Sequence, residues 1–150
     1  MKFNVNGERR LEMFLGEFTH SLDDKGRLTL PAKFREALAG GVVVTKAIDA
    51  CLTVYPRSVW APFAERIASL PVKQRNVRRH FFQNATDSIP DRQGRVLISQ
   101  LLRDWAELDG EAVIIGLYDR LEVWNPDRLA ETTAQVDSEL VGEQLNEFGI

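Results

Sequence analysis

The chain has 150 residues, a formal charge of −3, 44% hydrophobic and 27% charged residues, the balance of a globular chain of one ordinary domain or two very small ones. Cys51 stands alone, which excludes an internal disulfide and a cysteine metal cluster. The longest apolar stretch, Ala112 to Tyr118, is far too short to span a bilayer. With no apolar core of signal-peptide length near its start, the chain is expected in a reducing cytoplasm and away from membranes.

The acidic total is unevenly spread. Glu131, Asp137, Glu139, Glu143 and Glu147 give the last twenty residues a charge of −5 with no base, so the rest of the chain carries +2. Between Lys73 and Arg95 lie six bases and two acids. A mildly basic body with an acidic tail does not exclude a nucleic-acid partner.

Residues 1–12 read as an N-terminal extension. A strand then leads into Ser21–Leu38, "SLDDKGRLTLPAKFREAL", and sixty-eight residues after it the chain returns to "SIPDRQGRVLISQLLRDWA". Asp91, Gly94 and Arg95 fall where Asp23, Gly26 and Arg27 fell. Leu28 and Leu30 alternate, as do Val96 and Ile98, which suits half-buried strands. Pro31 and Ser99 then start short helices, one by its fixed φ and one as N-cap. The spacing puts Phe34 and Leu38 on one helix face, and Leu101, Trp105 and Leu108 on the other copy's face. The runs "GGVVVT" and "EAVIIG" read as buried strands. "LTVYP" and "LEVWN" follow as strands ending in an aromatic residue. Each leads into a helix, with Trp60, Phe63, Ile67 and Leu70 on one face in the first copy and Leu129, Val136 and Leu140 in the second.

The order strand, turn, strand, short helix, strand, strand, helix is thus given twice. The expected divisions are a first half over 17–59, connecting helices over 60–87, a second half over 88–131, and an acidic helix or tail over 132–150. Two copies this small cannot each bury a good core. The economical architecture is α+β and β-rich: one compact body whose halves complete each other about a pseudo-twofold axis, with flanking helices.

The repeated phrase is Asp-x-x-Gly-Arg. Asp favours the first turn position because its carboxylate accepts backbone N–H bonds two residues on. Gly supplies positive φ without steric cost. A well-made turn held by an Asp–Arg pair accounts for this spacing. So does a basic tip carrying Lys25 and Arg27, or Arg92 and Arg95, where Arg suits guanine and Lys suits phosphate.

These two turns, with "LTLPAKFRE", "VLISQLLRD", "LTVYP" and "LEVWN", resemble the MraZ family of bacterial transcriptional regulators from about Met13 to Leu140. The resemblance implies two AbrB-like (SpoVT-AbrB) swapped-hairpin halves in one chain. It also implies a ring-shaped homo-oligomer that associates with the nucleoid. Family members bind short, G-containing direct repeats in double-stranded DNA and usually repress their own division and cell-wall operon. Carried over, Arg27 reads a base edge, Lys25 reaches a base or phosphate, Asp23 orients Arg27, and Gly26 permits the turn. In the second turn Gln93 replaces the lysine and Arg92 adds charge one position earlier. Asp91, Arg92, Gly94 and Arg95 therefore keep two roles open, DNA contact or support of the body and of a subunit contact.

Other residues point to no further chemistry. His20 and His80 lack a partner at metal-ligand spacing, and the glycine pair at 40–41 lacks the lysine and hydroxyl of a phosphate loop. No nucleophile–base pair or cofactor motif stands out, so neither an enzyme nor a small-molecule substrate is expected. The Lys73–Arg79 face reads more readily as solvated than as a phosphate contact. Cys51 reads as a small buried hydrophobe. The tryptophans read as core or subunit interface. The competing class is a ring-forming protein-interaction module without specific DNA readout.

Overall fold

A computed structural model describes residues 13–150; the extension over 1–12 lies outside the described residues. The first half runs β1 (Phe14–Ser21), β2 (Arg27–Thr29), a 3-10 turn (Ala32–Phe34) entering α1 (Arg35–Leu38), β3 (Val42–Lys46), β4 (Leu52–Pro56) and α2 (Arg57–Ala68). A second 3-10 turn (Val72–Gln74) opens α3 (Arg75–Phe82). The second half runs β5 (Thr86–Ser88), β6 (Arg95–Leu97), α4 (Gln100–Ala106), β7 (Glu111–Tyr118), β8 (Leu121–Trp124), α5 (Pro126–Ala134) and α6 (Ser138–Glu147).

The strands form a six-stranded antiparallel sheet, β1-β7-β8-β4-β3-β5, and a two-stranded ribbon, β2-β6. The first strand of each half pairs with the other half: β1 runs along β7, and β5 along β3. Exchanging each strand for its counterpart in the repeat gives the same order read backwards. Leu28 faces Val96 at the centre of the ribbon, and Thr53 faces Glu122 at the centre of the β4–β8 pair. Each of these residues is the other's counterpart, the pairing that a twofold axis through both points would produce. Each half brings its own hairpin, β3–β4 or β7–β8, but the six-stranded sheet needs both halves, which meets the size limit anticipated for an isolated copy.

The main core lies between one face of the sheet and a cover made of the ribbon, α1 and α4. Leu28, Leu30, Phe34, Leu38, Val96, Ile98 and Leu102 close onto Val42, Val44, Leu52, Val54, Ile114, Leu121 and Val123. On the opposite face α2 and α3 cover β3 and β4. Tyr55 stacks on Phe63, and Phe63 meets Phe81 edge to face. Beside them Ala47, Cys51, Val113 and Trp124 form a second cluster, with Leu129 of α5 packed against it.

Two expected helix faces are corrected. In α4 the buried residues are Leu102 and Ala106, whereas Leu101 is 63% exposed. Leu102 and Ala106 lie sixty-eight residues after Phe34 and Leu38, so the copies bury equivalent positions. Trp105 is half-buried and donates its indole N–H to the Cys51 carbonyl at 3.0 Å. Leu108 is buried beyond the helix, after Glu107 turns the chain at φ +52. The helix after "LEVWN" does not continue through Val136 to Leu140. It ends at Ala134, and α6 starts afresh where the Asp137 carboxylate accepts the Glu139 N–H at 2.9 Å. Val136 and Leu140 are exposed, so only Leu129 of that trio packs on the body.

Candidate nucleic-acid interface

Both Asp-x-x-Gly-Arg turns close in the same way. Asp23 Oδ1 accepts the N–H groups of Lys25 at 3.0 Å and Arg27 at 2.9 Å, and Oδ2 accepts Arg27 Nε–H at 2.7 Å. Asp91 accepts the N–H groups of Gln93 and Arg95, each at 2.9 Å, and Arg95 Nε–H at 2.8 Å. Gly26 and Gly94 sit at φ +81 and +73, where a side chain is strained. Bonds made to the ionised carboxylate favour that form. The Arg27 backbone N–H, joined by the Arg27 guanidinium, holds the Asp23 carboxyl below its usual range. Arg95 does the same for Asp91.

The ribbon brings the two turns to one surface. Leu28 and Val96 are buried beneath it, so the alternate residues Arg27, Thr29, Arg95 and Leu97 face outward. Arg95 Nη1 lies 3.9 Å from Asp23 Oδ2, linking the second arginine to the first turn's carboxylate. Lys25 and Arg92 are exposed on the turns themselves. The site is thus one outward face carrying Arg27 and Arg95, flanked by two exposed bases, rather than two separate tips.

Two further arginines lie beneath the turns. Arg103 of α4 donates Nε–H to the Ile98 carbonyl at 3.1 Å, and its guanidinium fills the space where a Cβ on Gly26 would sit, 2.8 Å from Cζ. Arg35 of α1 donates to the Leu30 carbonyl at 3.1 Å and lies under Gly94. Each turn is therefore underpinned by the other half. The sequence reading assigned neither residue a role, although the sixty-eight-residue offset that links the turns also links Arg35 to Arg103.

Chemically, each Asp clamp engages the Nε side of its arginine. The Nη groups of Arg27 have no hydrogen-bond acceptor among the described residues, which leaves donors for a planar acceptor pair such as guanine O6 and N7. The held rotamer reduces the entropy lost on contact.

Other candidates fall elsewhere. The Lys73–Arg79 segment lies on the far face of the sheet, where Thr45 Oγ–H donates to the Phe81 carbonyl at 2.7 Å. Within it Arg78 donates to the carbonyls of Ala68 and Leu70 and closes the end of α2. His80 Nε2–H donates to the Ala47 carbonyl at 2.7 Å and packs on Trp105. Burial, then the Arg35 charge, pushes the half-buried His20 imidazole below its usual pKa. Cys51 is fully buried, and burial pushes its thiol far up. Among the described residues no group of His, Cys, Asp or Glu is placed to hold a metal ion, and no helix is long and apolar enough to cross a membrane.

The chain matches the family model described as "MraZ protein, putative antitoxin-like" twice, over residues 13–80 and 81–144. It is 47% identical over 129 residues to the "Transcriptional regulator MraZ" of Roseiflexus castenholzii, covering 84% of this chain and 90% of that protein. It is 42% identical over 143 residues to the protein of the same name from Moorella thermoacetica, covering 92% of this chain and all of the relative. The counterpart from Saccharopolyspora erythraea is 50% identical over 119 residues, 77% of this chain and 83% of its own length. A doubled family match that divides the chain near the boundary between its halves, with relatives this similar over most of its length, shows that the chain belongs to the MraZ family.

Proposed function

We propose that this protein is a sequence-specific DNA-binding transcriptional regulator that represses its own division and cell-wall operon. It binds short, G-containing direct repeats as a ring of identical copies and resides at the nucleoid. Arg27 reads a base edge, Lys25 reaches a neighbouring base or phosphate, and Asp23 and Gly26 hold the first turn. Asp91 and Gly94 hold the second, Arg92 contacts phosphate, and Arg95 steadies Asp23 from across the ribbon. The observation that carries this reading is the pair of Asp–Arg clamps presenting two arginines on one outward ribbon face. The relatives named as transcriptional regulators support it. One such contact is weak, and several copies on evenly spaced repeats gain orders of magnitude through effective concentration.

The test is binding of purified protein to a labelled fragment from upstream of its own gene, beside a scrambled fragment, across a salt series. Arg27→Ala is expected to remove selectivity, each bidentate base contact being worth about 1–3 kcal/mol. Lys25→Ala and Arg92→Ala are expected to weaken binding to both fragments and to reduce the salt slope by about one each. Equal affinity of wild type for both fragments would favour the interaction-module reading instead.

A further inference from the structure

The outward face of the β2–β6 ribbon holds four side chains, and two of them, Thr29 and Leu97, have no part in the contacts assigned so far. Ile98 N–H donates to the Gly26 carbonyl and Leu30 N–H to the Gly94 carbonyl, each at 2.8 Å. Between these bonds Arg27 stands opposite Leu97, and Thr29 opposite Arg95. Both are non-hydrogen-bonded pairs of the ladder, where facing Cα atoms approach to about 4.5 Å and side chains lie closest. In the repeat Arg27 corresponds to Arg95, and Thr29 to Leu97. The two halves thus place the same arginine on this face and a different residue beside it.

Leu97 is 56% exposed. An exposed leucine is ordinary in itself, and it is the position of this one that carries weight. The strand does not call for leucine here, since Thr29 at the equivalent place is the better strand former. The ribbon's own burial is met by Leu28 and Val96 on its inner face. The direct neighbour of Leu97 is Arg27, which Asp23 holds by its Nε side. An apolar side chain therefore stands next to an arginine whose Nη donors have no acceptor among the described residues. A two-stranded ribbon fits the major groove of DNA, where guanine O6 and N7 suit the guanidinium and the thymine C5-methyl is the apolar group that a base edge offers. Bases on one strand are spaced about 3.4 Å along the axis. A residue about 4.5 Å across the ribbon from Arg27 thus meets a base one or two steps away.

We propose that Leu97 is a specificity-determining residue, packing on the C5-methyl of a thymine one or two base steps from the guanine held by Arg27. The proposal rests on the DNA reading above and adds a second base to it. Leucine has no group for a phosphate, so its contribution is to sequence choice. Because Thr29 and not leucine stands beside Arg95, the ribbon face differs in its two orientations, and the guanine–thymine pair of contacts sets its direction on each repeat.

The experiment measures the affinity of the full-length protein for its own upstream fragment, prepared either with thymine or with uracil throughout, beside a scrambled thymine fragment. Uracil lacks the C5-methyl and keeps the hydrogen-bonding groups of thymine. Wild type, Leu97→Ser and Leu97→Met are compared, with circular dichroism and light scattering to follow fold and oligomer. Wild type is expected to bind the uracil fragment at least about fourfold more weakly than the thymine fragment, the worth of one buried methyl group. Leu97→Ser is expected to bind both alike while still preferring either to the scrambled fragment through Arg27. Leu97→Met, which stays apolar, is expected to keep the difference. Equal affinity of wild type for the thymine and uracil fragments overturns the proposal whatever the variants do. So does a uracil penalty that is the same in Leu97→Ser, which would place its cause in the DNA. A Leu97→Ser protein that leaves the oligomer would make Leu97 a subunit contact and overturn it too. In each of these cases a preference for the thymine fragment over the scrambled one leaves the DNA reading standing. No such preference in wild type overturns both.

Discussion

The turn glycines offer a quantitative check on the underpinning of the ribbon face that carries Arg27 and Arg95. Gly26→Ala places a side chain at φ +81 and directs its Cβ to 2.8 Å from Arg103 Cζ. The conformational part costs about 1–2 kcal/mol. The steric part falls on the flexible end of Arg103, which can swing away but then gives up its bond to the Ile98 carbonyl, worth about 0.5–1.5 kcal/mol. Gly26→Ala should therefore cost about 2–3 kcal/mol in the wild-type background. In an Arg103→Ala background only the conformational part remains, about 1–2 kcal/mol. The two substitutions are thus expected to couple by about 1 kcal/mol, read from urea unfolding of the four proteins at one protein concentration. Additivity within a few tenths of a kcal/mol would refute the argument that Arg103 packs beneath the turn. The symmetric cycle, Gly94→Ala with Arg35→Ala, should give a coupling of the same sign.

The Asp clamps set an acid limit. Asp23 and Asp91 have folded pKa values lowered from 3.8, so their support is complete above the unfolded value and is lost as pH falls through the folded values. Asp23→Asn with Asp91→Asn should flatten the acid limb of a stability-versus-pH curve, and an unchanged limb would count against the clamps. The Cys51 thiol, buried and pushed up, should resist a thiol reagent at pH 8 in the folded protein and react at once in denaturant; rapid labelling of the native state would contradict its burial. Leu102→Ala should cost about 2–5 kcal/mol and Leu101→Ala about 0.5 kcal/mol or less in protomer stability, by thermal or urea melts. Asn125→Ala should cost about 1 kcal/mol, because its side chain accepts the Asp127 and Arg128 N–H groups at the start of α5.

Much of this arrangement was legible because the chain states it twice. The turns, their flanking strands and the α+β class follow from turn chemistry and alternation, which are local. Strand partners are not local. The strand, turn, strand order around "LDDKGRLTL" does not say what the strands pair with: a bridge joins Leu22 to Leu28 and the Asp23 N–H donates to the Arg27 carbonyl, but β1 and β2 each find their ladder partners in the second half. The spacing points to the wrong face of α4 because Trp105 is far larger than Ala106, and its face includes Leu101 while that of Ala106 includes Leu102. Burial followed position in the repeat and not size. Asp137 and Ser138 already carried the sign of a helix start, but the apolar spacing of Leu129, Val136 and Leu140 suggested one continuous helix. At the site, Asp23, Arg27, Asp91 and Arg95 could be named from spacing. Arg35 and Arg103 could not be given a role, because their work is to support a turn of the opposite half.

The strand order has a further consequence for how such a molecule can change. In a symmetric pair of separate chains every substitution appears twice, and a change that improves one surface is forced on its mirror image. Joining both halves in one covalent chain releases that constraint while keeping the shared sheet. Lys25 and Gln93, or Asp24 and Arg92, stand at equivalent places with different chemistry. One turn can thus be committed to an outside contact while its twin is tuned for another task, and neither change has to be tolerated at both addresses.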